Sequence, residues 1–362
     1  MQVHADIDGL PAGARLAVTV GVFDGMHRGH VRLLRSLVRD ARRWHAEPTV
    51  VTFEPHPDAV LRGAPPPLLC DPAERLGWLE LAGVRHVVLQ RFDEAFATQT
   101  PEAFLGRLRS GRELAGLVMS PESAIGRGRA GTPERLRELG VGAGFWVEVV
   151  APLEFAGGLV SASRIRQALS AGRLPEARRM LGRDPAVTGR VVRGDARGRS
   201  LGYPTANLAF DAQVALPADG IYAIEAGWGG PDPLHPARTA GGVASLGVRP
   251  TFEPGSRILE AYLFGVDDDL YGERLRVAFV RRQRAERRFE SPEALVAQMD
   301  RDAARARAIL AARGMRARRD TQAHGSTPAR RDTPDRRDAP VRGRPPARRD
   351  TPDHGAGNPH SP

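Results

Sequence analysis

The sequence contains no lysine: all 53 Lys+Arg positions are arginine. A Walker A loop needs a lysine beside its phosphates, and Schiff-base catalysis needs one as the nucleophile, so both are excluded. Cysteine is nearly absent as well. The single Cys70 cannot close an internal disulfide, which fits a reducing cytosol and a cytoplasmic protein. No apolar run reaches the roughly 18 residues of a membrane-spanning helix, so none is expected. The opening MQVHADIDGL has no basic segment followed by an apolar one, so no signal peptide is expected either.

With 362 residues, 41% of them hydrophobic, the chain has material for two cores and a tail. Its net charge of +10 invites a nucleic-acid reading. The distribution argues against it. Residues 313–362 hold 12 Arg against 6 Asp, which leaves only about +4 for the rest. That segment repeats RRDT at 318–321, 330–333 and 348–351 and is poor in apolar residues. It is expected to be disordered and solvated, with at most a weak electrostatic hold on nucleic acid.

Up to about residue 185, short apolar runs alternate with helical patterns. LAVTVGVF (16–23), PTVVTFEP (48–55), RHVVLQRF (85–92) and LAGLVMS (114–120) read as buried strands. The alternation predicts a doubly wound, Rossmann-like α/β domain with a parallel sheet. From 186 to 312, strand candidates follow one another directly: VTGRVVRG, GIYAIEAGW, TAGGVASLG, ILEAYLFG and ERLRVAFV. One helix, 291–313, closes the run, with Ser291 as N-cap and Pro292 at its first position. This pattern predicts a small antiparallel β-barrel with a terminal helix.

GVFDGMHRGHVRLL (21–34) combines the end of a strand, a glycine-containing turn and the start of a helix. His27 and His30 flank that turn. Glycines let the backbone approach a phosphate, and a helix N-terminus favours an anion. TFEPHP (52–57) sits at another strand end, where ligands of open parallel sheets bind. SASRIRQAL (161–169) adds Ser161, Ser163 and Arg164 as donors.

These three segments resemble the nucleotidylyltransferase superfamily, and within it the FMN adenylyltransferase module of prokaryotic bifunctional riboflavin kinase/FAD synthetases. The resemblance extends over about residues 15–312. It implies ATP as co-substrate, held by Phe23, Asp24, Gly25, Gly29, Phe53, His56, Ser161 and Ser163. It also implies His27, His30 and Arg164 as the groups that stabilise charge during transfer. Mg²⁺ is expected to bridge the phosphates. The family's flavin loop normally carries two aromatics. Here it reads Ser120–Pro121–Glu122–Ser123–Ala124–Ile125–Gly126, so Glu122 and Ile125 stand at the flavin positions and both aromatics are missing.

GRVVRGDARGRSLGYPTANL (189–208) resembles the riboflavin kinase module, whose signature ends in Pro-Thr-Ala-Asn. The resemblance assigns Gly194, Gly198, Arg199 and Gly202 to a loop over ATP, and Thr205 and Asn207 to Mg²⁺ and the phosphates. ILEAYLFGVDDDLYG (258–272) matches the segment that holds the catalytic Glu, here Glu260. The acidic run Asp267–Asp269 reads as a solvated turn rather than a metal site. The chain is therefore expected to convert riboflavin to FMN and FMN to FAD, with riboflavin, FMN and ATP as its partners. A kinase with an impaired adenylyltransferase domain is the alternative. Oligomeric state is left open.

Overall fold

The computed structural model describes residues 1–194, 198, 201–248 and 257–325, with side chains up to Met315. Its first part runs β1 (Gln2–His4), β2 (Arg15–Val20), α1 (Arg28–Arg43), β3 (Glu47–Glu54), α2 (Pro57–Leu61), α3 (Pro72–Leu81), β4 (His86–Arg91), α4 (Glu94–Ala97), α5 (Pro101–Arg109), β5 (Glu113–Met119), α6 (Pro133–Ala143) and β6 (Trp146–Val149). The six strands form one sheet in the order β1-β4-β3-β2-β5-β6, and every pairing is parallel.

Alternate residues of one strand enter opposite layers, as a two-sided sheet demands. Leu16, Val18, Val51 and Val88 pack on one face with Phe104 and Leu108. Ala17, Val50 and Val87 pack on the other with Leu34 and Leu37 of α1. From β2 the chain moves outward through β3 to β4, whereas β5 pairs with the opposite edge of β2. The strand order thus reverses at β2, and its carboxyl end is the switch point where such folds take ligands.

The short hairpin β7 (Glu154–Phe155) and β8 (Gly158–Leu159) leads to α7 (Ala162–Ser170) and α8 (Leu174–Leu181). Then come β9 (Ala186–Val192), β10 (Ala206–Ala209), β11 (Gly220–Trp228), β12 (Arg238–Val248), β13 (Arg257–Leu263), β14 (Arg274–Arg284) and α9 (Pro292–Gly325). The six strands close into an antiparallel barrel in the order β10-β13-β12-β11-β14-β9, sealed by the β9–β10 pairing. Leu259, Ala261 and Leu263 point into the barrel; Glu260 and Tyr262 therefore lie on its outer face.

Five strands were not expected from the sequence, among them the two-residue β7 and β8. β1, β6 and β10 have only three or four residues each, too few for periodicity to register. The terminal helix also runs further than 313, to Gly325. Arg313, assigned by composition to the tail, is helical and pairs with Asp184 and, at 3.5 Å, with Glu225. The rest of the expected tail, 326–362, lies outside the described residues, as does Arg199. Ser291 caps the helix as its position predicts, its Oγ accepting from the Ala294 N–H at 3.2 Å.

Candidate functional site

The turn after β2 is sterically demanding. Phe23 (φ 54), Gly25 (φ 71) and Met26 (φ 38) all adopt left-handed backbone, two of them without the freedom of glycine. Gly25 is required twice over, because a Cβ there would stand 2.7 Å from the Leu69 side chain. Two further contacts hold the turn. The Asp24 carboxylate accepts from the Leu69 N–H at 2.9 and 3.1 Å. The Gly25 N–H donates to Cys70 Sγ at 3.3 Å. Burial pushes the Cys70 thiol up to about 12, so it is a packing group and not a nucleophile.

The turn delivers His27 to the N-cap of α1 and His30 to its first turn. Their rings stack at 3.6 Å. His27 Nδ1 accepts from the His30 N–H at 3.3 Å, so the neutral ring carries its proton on Nε2, where it can donate to a ligand. Among the described residues, His30 Nδ1 is buried without a hydrogen-bond partner, as fits a group that waits for a ligand. Burial, then the nearby Arg183, lowers His27 to about 4; burial, then His27, holds His30 well below the ordinary imidazole range. Both rings are neutral donors at pH 7.

This has a consequence for stability. A histidine depressed in the folded state is protonated earlier in the unfolded chain, so its contribution is full above the unfolded value and is lost as pH falls. For His27 the window runs from about 6.5 down to about 4, and the loss across it is about 3 kcal/mol. Asp24, raised chiefly by burial, opposes part of that loss because the folded state takes up its proton first. Urea unfolding at intervals between pH 7 and pH 4 should show falling stability, with the slope flattened in His27→Gln. An unchanged slope in that variant would reject His27 as its origin.

The structure separates the two arginines of the SASRIRQAL segment. Arg164 turns to the β7–β8 hairpin, where Nη1 donates to the carbonyls of Phe155 at 3.1 Å and Leu159 at 2.9 Å. Arg166 faces the turn. It pairs with Asp24 and donates from Nε to the Pro67 carbonyl at 2.7 Å. Ser161 caps α7, its Oγ accepting from the Arg164 N–H at 3.4 Å, and Ser163 is exposed. Gly29 sits where α1 begins, its Cβ position 3.5 Å from the Val160 carbonyl, which brings the starts of α1 and α7 together. Arg183 donates to the carbonyls of Met26 at 3.0 Å and Gly25 at 2.8 Å. Arg166 and Arg183 were missed in the sequence: one lies two residues from a better-matching neighbour, the other in no motif.

His56 caps α2, its Nδ1 accepting from the Asp58 N–H at 3.1 Å. Phe53 meets Phe92 edge-on at 5.3 Å and Phe96 at 5.7 Å, so β3 and β4 end in a half-buried aromatic cluster. Ile125 is only 7% exposed and packs in the core layer that also takes Phe53 and Phe96. It backs that cluster and offers little surface of its own. Glu122 is exposed, and its carbonyl accepts from Arg129.

The second site lies on the outer face of the barrel beneath α9. Glu260 stands directly opposite Asn207 of β10 on one side and Ser245 of β12 on the other, so the three side chains share one face. With Thr205 and Gly198 they line a cavity of about 500 Å³, which Tyr262, Arg284 and Glu286 also border. A Cβ on Gly194 would stand 2.4 Å from the Asn207 amide, and one on Gly198 2.3 Å from the Tyr203 carbonyl, so both glycines allow close approach. Gly202 takes φ +83 in open space. Burial, then Asp300, pushes Tyr203 up to about 12. Asp268 pairs with Arg238 at 2.6 Å and Asp269 accepts from the Tyr271 N–H at 3.0 Å, as a solvated turn would. Among the described residues no group of three or more His, Cys, Asp or Glu is placed to hold a metal ion.

Two family models cover most of the chain: FAD synthetase over residues 11–164 and riboflavin kinase over residues 181–310. The bifunctional riboflavin kinase/FMN adenylyltransferase of Escherichia coli (strain K12) is 36% identical over 292 residues, 80% of this chain and 91% of that protein. The chain belongs to the bifunctional riboflavin kinase/FMN adenylyltransferase family. Other members of this family similar to it are those of Pseudomonas fluorescens, 34% identical over 81% of this chain and 92% of that one, and Bacillus subtilis, 30% identical over 80% and 90%. A crystal structure described as a macrolide-efflux protein from Streptococcus pneumoniae has a TM-score of 0.73 at 30% identity, covering 83% of this chain and 96% of that one. The likeness to that structure is one of fold. Among the described residues of this family member, no helix is long and apolar enough to cross a membrane.

Proposed function

We propose that the chain phosphorylates riboflavin with ATP to give FMN and then transfers AMP from a second ATP to FMN, giving FAD and pyrophosphate. The observation that carries this reading is the presence, in one chain of this family, of a histidine-lined turn at a parallel-sheet switch point and a separate Thr205–Asn207–Glu260 cluster on a barrel. Adenylyl transfer is assigned to residues 1–185 and phosphorylation to residues 186–312.

In adenylyl transfer, a phosphate oxygen of FMN attacks the α-phosphorus of ATP and pyrophosphate leaves. The nucleophile is already anionic, so the site has to neutralise charge and align the groups in line. His27 Nε2–H and His30 are neutral donors to the phosphates. Arg183 and Arg166, the latter paired with Asp24, supply positive charge beside the turn. Arg164 acts at one remove, by fixing the hairpin beside α7. The aromatic edge of Phe53, Phe92 and Phe96 gives the flavin an apolar surface in place of the missing loop aromatics.

In phosphorylation, the riboflavin 5′-hydroxyl attacks the γ-phosphorus, ADP leaves, and Glu260 takes the hydroxyl proton. Thr205 and Asn207 offer hard oxygen atoms that would hold Mg²⁺. When bound, the ion neutralises phosphate charge. Incubation with riboflavin, ATP and Mg²⁺, followed by chromatography of the flavins over time, tests the whole sequence. FMN should appear first and FAD after it. FMN that accumulates without FAD, at high FMN and ATP, would restrict the chain to the kinase step.

A further inference from the structure

Residues 66–75 run between the barrel and the adenylyltransferase turn, and their contacts alternate between the two. Leu68 is bridged to the barrel side: its N–H donates to the Gln213 carbonyl at 2.8 Å and its carbonyl accepts from the Ala215 N–H at 2.8 Å. Leu69 and Cys70 hold Asp24 and Gly25 of the turn, as described above. Asp71 then pairs with Arg274 of β14 at 2.5 Å. Glu74, only 1% exposed, accepts from Arg276 of β14 at 2.8 and 3.2 Å. Arg75 closes the series by donating to the Val22 carbonyl, on the turn side, at 3.2 Å.

We infer that the kinase barrel is a working part of the adenylyltransferase site: Arg276, through Glu74, is a positioning residue for the His27–His30 turn. The inference rests on the assignment of adenylyl transfer to that turn. Two features favour Arg276 over its neighbour. The Asp71–Arg274 pair is more exposed, and exposed pairs hold little. Glu74 is buried, so removing Arg276 takes away its ion-pair partner and leaves the carboxylate to the Trp78 indole N–H at 3.3 Å and the nearby Arg183, and α3 shifts toward them. A shift of α3 carries Leu69 and Cys70 with it. The left-handed turn has little room for such a shift, because a Cβ on Gly25 would already stand 2.7 Å from the Leu69 side chain.

The kinase site is set apart from this strut. Arg276 lies near the start of β14, whereas Arg284, which borders the Glu260 cavity, ends the same strand. Along the strand, at about 3.4 Å per residue, the two are at most roughly 27 Å apart, and through the β14–β9–β10 register Asn207 lies about 17 Å from Arg276, so no kinase-site residue touches the strut. Phosphorylation is therefore an internal gauge of barrel folding.

The test uses the full chain and measures both activities in one preparation. Arg276→Ala should lower kcat/KM for FMN adenylylation by about ten- to a hundred-fold, the range set by sub-ångström to 1 Å misplacement, with the KM for ATP raised. Riboflavin phosphorylation should stay within about two-fold, because its site is remote. Arg276→Lys should recover most of the loss, since both Arg276 nitrogens converge on one oxygen, Glu74 Oε1, which a single ammonium can reach. Unchanged adenylylation in Arg276→Ala overturns the inference. So does an equal loss of both activities, which would mean general unfolding, or a failure of the lysine to rescue. His30→Ala belongs in the same series. If it leaves FAD formation intact, the assignment of the turn itself has failed, a result separable from failure of the strut.

Discussion

Replacement of His30 by alanine is expected to lower FMN adenylylation by about 10²–10³-fold, the size typical of losing one donor aimed at developing charge. Riboflavin phosphorylation should be unaffected. The large figure follows from the surroundings of the ring. His30 is neutral, stacked on His27 at 3.6 Å, and has a buried nitrogen with no partner among the described residues. A donor held in a low-dielectric wall costs no reorganisation when charge develops beside it. Alanine also removes the ring against which His27 stacks, so His30→Gln is the cleaner comparison. It keeps a donor and should retain more activity than alanine. A kcat that falls with little change in the KM for ATP would place the interaction in the transition state, whereas the reverse split would make His30 a ground-state contact. Assay of FAD with supplied FMN and saturating ATP separates the two.

Much of this was legible in the chain because the decisive signals are local. A strand, turn and helix within 14 residues place His27 and His30 together. The two-residue alternation of ILEAYLF puts Glu260 and Tyr262 on the face opposite Leu259 and Ala261. What was not legible depends on contacts far apart in sequence. Arg164 and Arg166 are two residues apart on α7, so at 100° per residue they leave the helix in nearly opposite directions. The motif match points to Arg164, but the positions of Asp24 and the β7–β8 hairpin put the Arg166 guanidinium at the turn. Arg183, Glu74 and Arg276 belong to no motif, because their partners lie up to 202 residues away. The loss of the loop aromatics at Ser123 and Ile125 pointed to a weak flavin pocket. The Phe53–Phe92–Phe96 cluster draws on two strand ends and a short helix, so no single segment displays it.

Glu260→Gln should have the complementary effect. Riboflavin phosphorylation is expected to fall by about 10²–10⁴-fold, the span that general-base catalysis contributes, while adenylylation of supplied FMN continues. The substitution is nearly isosteric. It preserves the strand, the register opposite Asn207 and Ser245, and the outer-face position beneath α9, and removes the carboxylate that would accept the 5′-hydroxyl proton. The loss should therefore fall on kcat, with the KM values for riboflavin and ATP close to those of the unaltered enzyme. Asn207→Ala is the contrasting change. On the proposed assignment it removes an amide oxygen that would hold Mg²⁺ and an amide N–H that would donate to the phosphates, and it should raise the KM for ATP more than Glu260→Gln does. The pair of profiles distinguishes a base from a binding group at adjoining positions on one barrel face. If Glu260→Gln instead suppressed both flavin-forming steps in a protein with normal unfolding behaviour, the two chemistries would have to share a site. The separation of the His27–His30 turn from the Glu260 cavity would then have no functional meaning.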